Sequence, residues 1–535
     1  MRRTGDGSAE SSWLYAIAGA LMGGGPVWRF LYVNHYPFGQ PEAIALPVVA
    51  ALIGATVAVL GHRIGGVLES LGFGAGLYLF ADLQFDLEKV VPSALILGGC
   101  LAVSFLIRPR RAALTGITLG VFYLASLPRG GATAPILAAA PPATADLPLL
   151  VHVVLDEQWG VGGLRAEGDS ATAAFLTAFY RERGFEFFEA AYSRSGETVA
   201  SLASTLSLGQ PPAYNPKEVA PHFHKSLRTI PYFDRLRSAG YAIYVYQSTQ
   251  LDYCHAAAPV TGCETQPSNS IANTGHLPGD WPARAVRASR YFLTATSHVY
   301  ARAFPTTPAG WFVAWTHAVT GGGLVAVEHA REAILGRPRG NRAFFVHVLL
   351  PHRPIDVDAE CRILGDRAAR ATHATIVNPS DSQWRETLAY EGDQIRCAHR
   401  ALDELLAAVD STVGRDHSII IVQGDHGSRL NRNPLPSRLL ATLDRRALNS
   451  QFSTVLAIRR PEVPGAVYSE PVPVQDFLWK LIGNDFKGSV NGPWRHFVQD
   501  SGRADTLRSL AVGDMLWARV PARPTAAAGF LGARP

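Results

Sequence analysis

Long apolar runs crowd the first 130 residues of this chain and thin out after them, and that asymmetry limits the fold more than any other feature. Five segments, at 13–33, 43–60, 64–81, 92–107 and 112–127, are built mainly of Leu, Ile, Val, Ala and Gly. An α-helix needs ~20 such residues to cross a hydrocarbon core; several segments reach that length, and the shorter ones are marginal alone. The first is long and is followed by further runs, which argues against a cleaved signal peptide. Glycine-rich pieces such as Gly23-Gly24-Gly25 and Gly72, Gly74 and Gly76 suit a bundle in which backbones approach closely.

Loop charges orient these segments. Arg2 and Arg3 precede the first, His62 and Arg63 follow the second, and Arg108, Arg110 and Arg111 follow the fourth. The loop at 34–40 has no Lys or Arg, and 82–89 is mostly acidic with one lysine. Positive charge stays on the cytoplasmic side, so the amino terminus is inside. Five spans then leave everything beyond Arg129 outside. The expected protein is a multi-pass protein of the inner (plasma) membrane with a periplasmic, extracytoplasmic domain.

The composition agrees: 47% hydrophobic and only 17% charged residues, with a net charge of +5. No basic block exceeds the stretch from Arg108 to Arg111. Nucleic-acid binding, which uses a concentrated basic face, is not expected. Residues 131–146 are rich in Ala, Pro and Thr and read as a tether. The expected organisation is a transmembrane unit at 1–130, a linker at 131–146, a catalytic α/β domain at 147–491 and a tail at 492–535. Of the five cysteines, Cys100 falls in an apolar helix, and Cys254, Cys263, Cys361 and Cys397 fall in the soluble part, enough for two disulfides in an oxidising compartment. There is no CxxC pair to form a cysteine zinc site.

The soluble part carries two runs of the same kind. Leu149-Leu150-Val151-His152-Val153-Val154-Leu155 ends in Asp156-Glu157. Ser418-Ile419-Ile420-Ile421-Val422 ends in Gln423-Gly424-Asp425-His426-Gly427. Nearly continuous apolar runs of this length are buried, parallel strands. Polar residues past their carboxyl ends lie where open α/β sheets put ligand sites. An acid beside an imidazole suits a divalent metal, with flanking glycines letting the backbone turn sharply. Between the runs, Ser193-Arg194-Ser195-Gly196-Glu197-Thr198 precedes a helical pattern. That puts the Thr198 hydroxyl at a helix amino terminus, either as an N-cap or as a group that can meet a phosphate.

The order Asp156-Glu157, then Gly196-Glu197-Thr198, then Gly424-Asp425-His426-Gly427 resembles the alkaline phosphatase superfamily. It is most similar to the membrane-anchored, sulfatase-like branch that includes lipoteichoic acid synthases and lipid A phosphoethanolamine transferases. Other stretches fit: Thr229-Ile230-Pro231-Tyr232-Phe233, the strand at 344–350 followed by Pro351-His352-Arg353-Pro354, and a helix around 401–409. The resemblance implies five amino-terminal spans before an alkaline-phosphatase-like domain, a mostly parallel central sheet with helices on both faces. It implies a zinc or manganese ion held by Asp425 and His426, with Thr198 as ligand and nucleophile. The first ligand is Asp156, Glu157 or both; alignment by strand end favours Asp156. His352 becomes the group that protonates the leaving oxygen or binds the phosphate, and Arg194 a charge partner. His347, inside its strand, reads first as structural and second as a substrate contact. The implied reaction moves a phospholipid head group onto an envelope glycan or lipid. A hydrolase with the same metal site, or a non-catalytic relative in envelope assembly, are the other readings. Two departures matter: the sulfatase Cys/Ser-x-Pro-x-Arg pattern is missing around Thr198, and Ser428-Arg429 replaces an acidic residue after the Asp-His-Gly.

Overall fold

The computed structural model describes residues 7–64, 66–85, 90–106, 114–119, 121, 139, 147–208, 225–254, 260–266, 271–303, 321–336, 341–353, 355, 357–364, 380–428, 430, 445–482, 495–499 and 507–511. The chain divides into two units, one of Met1–Ala132 with Asn269–Val319, the other of Thr133–Ser268 with Thr320–Pro535. The expected contiguous catalytic stretch from 147 to 491 is therefore interrupted: about fifty residues in its middle cluster with the amino-terminal unit.

In the first unit the helices Gly7–Val33, Pro41–Ile64, Gly66–Phe85 and Val90–Leu106 match four of the five apolar segments. Pro41–Ile64 is long and apolar enough to cross a membrane by length and composition, the one such helix among the described residues. Of the fifth segment only 114–119 and 121 are described, as helix; the tether falls almost wholly outside the described residues. Gly19 and Gly54 explain how the first two helices meet. A Cβ on Gly19 would lie 2.3 Å from the Gly54 carbonyl oxygen, and one on Gly54 would lie 2.1 Å from that of Gly19. The backbones touch, as small residues allow. The same unit contains the helices Ala272–His276 and Trp281–Ala303.

The second unit is an α/β domain. Its strands are β1 (Leu149–Leu155), β2 (Glu186–Phe188), β3 (Ala191–Tyr192), β4 (Lys225–Ser226), β5 (Ala242–Ser248), β6 (Leu251–Asp252), β7 (Gly262–Gln266), β8 (Arg342–Val348), β9 (Ser418–Gly424), β10 (Leu456–Arg459), β11 (Ala466–Tyr468), β12 (Val472–Pro473), β13 (Arg495–Gln499) and β14 (Leu507–Ala511). Eight form one sheet in the order β11-β2-β10-β9-β1-β8-β5-β7. Within it β9, β1, β8, β5 and β7 run parallel, and β10 is antiparallel to both its neighbours. β1 and β9, buried at every residue, are the two apolar runs of the sequence.

Helices cover both faces. Thr198–Leu206, Pro231–Ser238 and Val474–Ile482 share a core with Val154, Phe345 and Ile421. The helix Gly321–Gly336 packs on β5, β7 and β8, and on the long helix Asp381–Thr412. That long helix starts with a capping box in which Ser380 and Gln383 satisfy each other's backbone N–H groups. Register does the positioning: Leu155 pairs with Gly424 of β9 and Val348 of β8, so Asp156 and Asp425 leave the sheet side by side at its carboxyl edge.

Ile421 sits at the centre of this core with no exposed surface. Ile421→Ala is expected to destabilise the domain by about 2–5 kcal/mol and Ile421→Val by about 0.5–1.5 kcal/mol. Chemical denaturation of the full chain in detergent measures this, and equal midpoints for the two variants would contradict the packing described.

Candidate metal centre

Asp156, Asp425 and His426 each offer a ligand atom, all within 4.8 Å of one another, and all three residues are fully buried. Asp425 extends β9 and Asp156 extends β1, so adjacent parallel strands deliver the two carboxylates. The Thr198 hydroxyl joins them, 3.1 Å from Asp156 Oδ1, to which it can donate, and 3.3 Å from His426 Nε2. Thr198 is the first residue of its helix, and Glu197, not Thr198, occupies the N-cap position.

Each ligand is aimed by a second contact. His426 Nδ1 donates to the Gly427 carbonyl at 2.6 Å, which leaves Nε2 with a lone pair facing inward. Asp425 Oδ1 accepts the backbone N–H groups of Glu157 at 2.9 Å and His426 at 2.8 Å. Among the described residues Asp425 Oδ2 is buried with no hydrogen-bond partner, although it lies 3.3 Å from His426 Nε2. Two lone-pair atoms that close, with no hydrogen to share, are an arrangement that a cation satisfies. The distances fit as well: atoms bound about 2.0–2.1 Å from one tetrahedral ion stand roughly 3.3 Å apart. Carboxylate and hydroxyl oxygens with one imidazole nitrogen suit zinc or manganese.

Electrostatics gives the same answer. Burial, then the charge of Asp156, pushes Asp425 up to about 6. Asp156 is buried too, but His352 first, then the His347 hydrogen bond, outweigh that burial and hold it at about 2. Two adjacent buried carboxylates cannot both ionise cheaply, and without a cation Asp425 holds its proton to a higher pH than an ordinary carboxylate.

Four other expected site residues lie outside the ligand group. His347 is no bystander: its Nε2 lies 3.2 Å from Asp156 Oδ2, and its Nδ1 lies 3.2 Å from Ser248 Oγ. It pairs with Val154 across β1 and β8, so its side chain shares the face on which Asp156, two residues on, also lies. It is fully buried and holds Asp156 in place. Glu157 is not part of the ligand group. It adopts a left-handed backbone (φ 58°), and its carboxylate accepts the Arg353 N–H at 3.3 Å, with Arg353 Nε at 3.6 Å. Of the Asp156-Glu157 pair, Asp156 alone belongs to the cluster. Arg194 is tied elsewhere, by a 2.5 Å ion pair to Asp476, with its guanidinium over the Trp479 ring. His352 stands 4.0 Å from Glu157 Oε1 through Nε2, and its Nδ1 donates to the Arg353 carbonyl.

The structure adds residues the sequence did not flag. Gln475 Nε2 donates to Ser193 Oγ and Ser201 Oγ, both at 3.0 Å, while its Oε1 accepts the Arg194 N–H. Ser201 Oγ in turn donates to the Asp425 carbonyl at 2.5 Å. One amide thereby ties the loop before Thr198 to the strand end carrying Asp425. Gln394 Nε2 donates to the carbonyls of Pro351 and His352, and the Cys361–Cys397 disulfide joins that loop to the same helix. A second disulfide joins Cys254 and Cys263.

The glycines around Asp425-His426 act differently from the expectation of a sharp turn. Neither has a left-handed backbone. A Cβ on Gly427 would lie 2.2 Å from the Ser450 carbonyl oxygen, and one on Gly424 would lie 2.0 Å from Thr454 Oγ1. They let the segment at 445–454 close over the site.

No protein-family model matches the sequence, and no curated protein matches it. Solved structures do, and they include members of the alkaline phosphatase superfamily, the one the motifs resemble. A protein of that superfamily from Vibrio parahaemolyticus is 13% identical, covers 71% of this chain and 80% of its own, and has a TM-score of 0.39. The C-terminal periplasmic domain of EcEptC from Escherichia coli is 10% identical, covering 72% of this chain and 100% of its own at a TM-score of 0.40. The phosphonate monoester hydrolase SpPMH from Silicibacter pomeroyi is 15% identical, covering 63% and 72% at a TM-score of 0.39. At such identities and scores, the chemistry of the centre rests on its own geometry.

Two outcomes test that geometry. Affinity for Zn²⁺ or Mn²⁺ should rise as pH increases through about 6, because a metal must displace the proton held on Asp425. Calorimetry in two buffers of different ionisation enthalpy would detect that proton, and an affinity independent of pH across this range would refute the paired-carboxylate site. Gly427→Ala should weaken metal binding about 10- to 100-fold by shifting His426. Gly336→Ala, where an added Cβ meets nothing within 4 Å, should leave it unchanged.

Proposed function

We propose that this protein is a membrane-anchored, metal-dependent phosphoryl-group transferase. It moves a phospholipid head group of the phosphoethanolamine or phosphoglycerol type onto an envelope glycan or lipid through a threonine-linked intermediate. One observation carries the reading: the Thr198 hydroxyl, at the start of a helix, lies within hydrogen-bond distance of both Asp156 and His426.

Asp156, Thr198, Asp425 and His426 would hold the divalent ion. When bound, it lowers the pKa of a neighbouring hydroxyl and offsets charge on a phosphoryl group. Thr198 Oγ1 has Asp156 Oδ1 ready to accept its proton. Attack by Thr198 Oγ1 on phosphorus forms one P–O bond and breaks that to diacylglycerol, whose oxygen takes a proton from His352. An acceptor hydroxyl then attacks the same phosphorus and gives up its proton to His352, while the bond to Thr198 Oγ1 breaks and that oxygen takes back the proton held on Asp156. The amino-terminal dipole of Thr198–Leu206 favours negative charge at that position. His347 keeps Asp156 aimed throughout.

The same reading takes the first unit as a five-span anchor at the inner membrane, with the metal centre outside. Loop charge supports it, as do two disulfides, which persist in oxidising compartments. A lipid donor suits an enzyme anchored in its substrate's own bilayer.

Mass spectrometry of envelope lipids and glycans from cells with the wild-type chain, without it, and with Thr198→Ala tests the proposal. The deletion and Thr198→Ala should lose the same modified lipid or glycan. In reconstituted membranes, label from phosphatidylethanolamine or phosphatidylglycerol should reach the acceptor. Free labelled head group would instead establish a hydrolase, and full retention of the modification in Thr198→Ala would rule out the nucleophile.

A further inference from the structure

The segment that leaves the catalytic unit at residue 269 and re-enters it at 320 has no role in the chemistry above. Its helix Trp281–Ala303 is fixed to the amino-terminal helices by a buried ion pair. Arg284 Nε lies 2.6 Å from Glu42 Oε1 and Nη2 lies 3.3 Å from Glu42 Oε2, with Tyr36 OH donating to the same carboxylate at 2.7 Å. Arg284 Nη1 also donates to the carbonyls of Leu277 and Gly279, and Nη2 to Gln40 Oε1. Glu42 is in the first turn of Pro41–Ile64, the helix fit to cross a membrane. Removing one partner of a buried pair leaves the other charge stranded, so such a pair fixes register.

From Arg284 the helix runs on beside the span. Ala288, Tyr291 and Phe292 join one apolar cluster with Phe30, Leu46 and Ala50, and the Phe292 and Phe30 rings are 5.4 Å apart. Arg284 to Phe292 and Glu42 to Ala50 are equal lengths of helix, each about 12 Å. The packed face is accounted for; the outward one is not. Val286 and Leu293, seven residues apart, are 52% and 48% exposed, on a helix whose start shows Trp281 at 49%. At the same level of the span Val48 and Val49 are each 51% exposed. Outside the first unit, the large apolar side chains exposed to this degree among the described residues are Leu335 and Val467. Arg290, four residues after Val286 and three before Leu293, shares their side of the helix.

We infer that Trp281–Ala303 lies in the bilayer, its Val286–Leu293 face seated at the boundary of acyl chains and head groups in the leaflet on the Glu42 side. The continuous apolar level formed with Val48 and Val49 selects lipid as the occupant, and Arg290 and Trp281 suit the head-group region. The segment then works as a half-embedded flank of the anchor, clamped through Arg284. This rests on the reading that Pro41–Ile64 spans the membrane.

The test uses the full chain in nanodiscs of phosphatidylethanolamine and phosphatidylglycerol, in a Cys100→Ala background. Spin labels go singly at Val286, Leu293, Ile53 in the span, and Val467 on the catalytic unit. Power saturation then compares oxygen, which partitions into lipid, with a water-soluble nickel chelate. Val286 and Leu293 should favour oxygen, as Ile53 does and Val467 does not. Labels at 286 and 293 that follow Val467, or that neither reagent reaches because a second copy covers them, would overturn the inference while Ile53 still favours oxygen. Ile53 reading as aqueous would instead remove the spanning helix, and the inference with it.

Discussion

Two carboxylates are forced together at the carboxyl edge of the sheet, and much of the catalytic unit is arranged around that pair. Asp156 and Asp425 extend neighbouring parallel strands in register, with ligand atoms inside 4.8 Å of each other and no exposure to water. At an effective dielectric near 20, like unit charges about 4 Å apart cost about 4 kcal/mol. A fold with no use for the pair would be more stable with one replaced. Here its immediate hydrogen bonds favour the charged forms, although burial and Asp156 still hold Asp425 above the usual carboxylate range. Backbone N–H groups hold Asp425 Oδ1, His347 holds Asp156 Oδ2, and Asp425 Oδ2 is left with no donor among the described residues. Charge of that sign, fixed in that geometry, is what a divalent ion neutralises.

The supports come from distant parts of the chain, which makes the centre a property of the whole domain. His347 arrives on β8, Ser201 on the helix that begins at Thr198, and Gln475 on a helix near the end of the described chain. Gln475 spends both ends of its amide on this task, donating to two serines and accepting from the Arg194 N–H. The loop that presents Thr198 is therefore held in place before any substrate arrives, and geometry of that kind needs little reorganisation during reaction. Arg194 belongs to the same scaffold, since its pair with Asp476 anchors the loop to the helix that carries Gln475.

What could be read from the sequence was what is written locally. A buried parallel strand announces itself as an unbroken apolar run, and the polar residues that end it fall at the sheet's edge whatever the rest of the chain does. Asp156, Asp425 and His426 were legible for that reason, and Thr198 because a helical pattern begins at it. His347 was not, because its role depends on the pairing of Val154 with a residue nearly two hundred positions away. Glu157 stayed open beside Asp156 because a single left-handed residue sends its carboxylate to Arg353, and no pattern in Asp156-Glu157 specifies that backbone angle. The insertion at 269–319 escaped notice because Trp281–Ala303 has arginines among its apolar residues, whereas the amino-terminal segments are apolar nearly throughout. Its place is set by one of those arginines finding Glu42.

The displaced Glu157 also clarifies the division of labour next to the centre. Asp156 and Glu157 are consecutive and equally buried, yet one faces the ligand group and the other the loop of His352 and Arg353. Glu157 thereby couples that loop to the strand end, since its own N–H is bonded to Asp425. The loop is held from its other side by Gln394 and by Cys361–Cys397. His352 is thus restrained by the Glu157 carboxylate and the Gln394 amide, while its side chain stays partly open to solvent. Those contacts fix His352 beside the strand end that carries Asp156, which is the placement the proposed proton transfer requires.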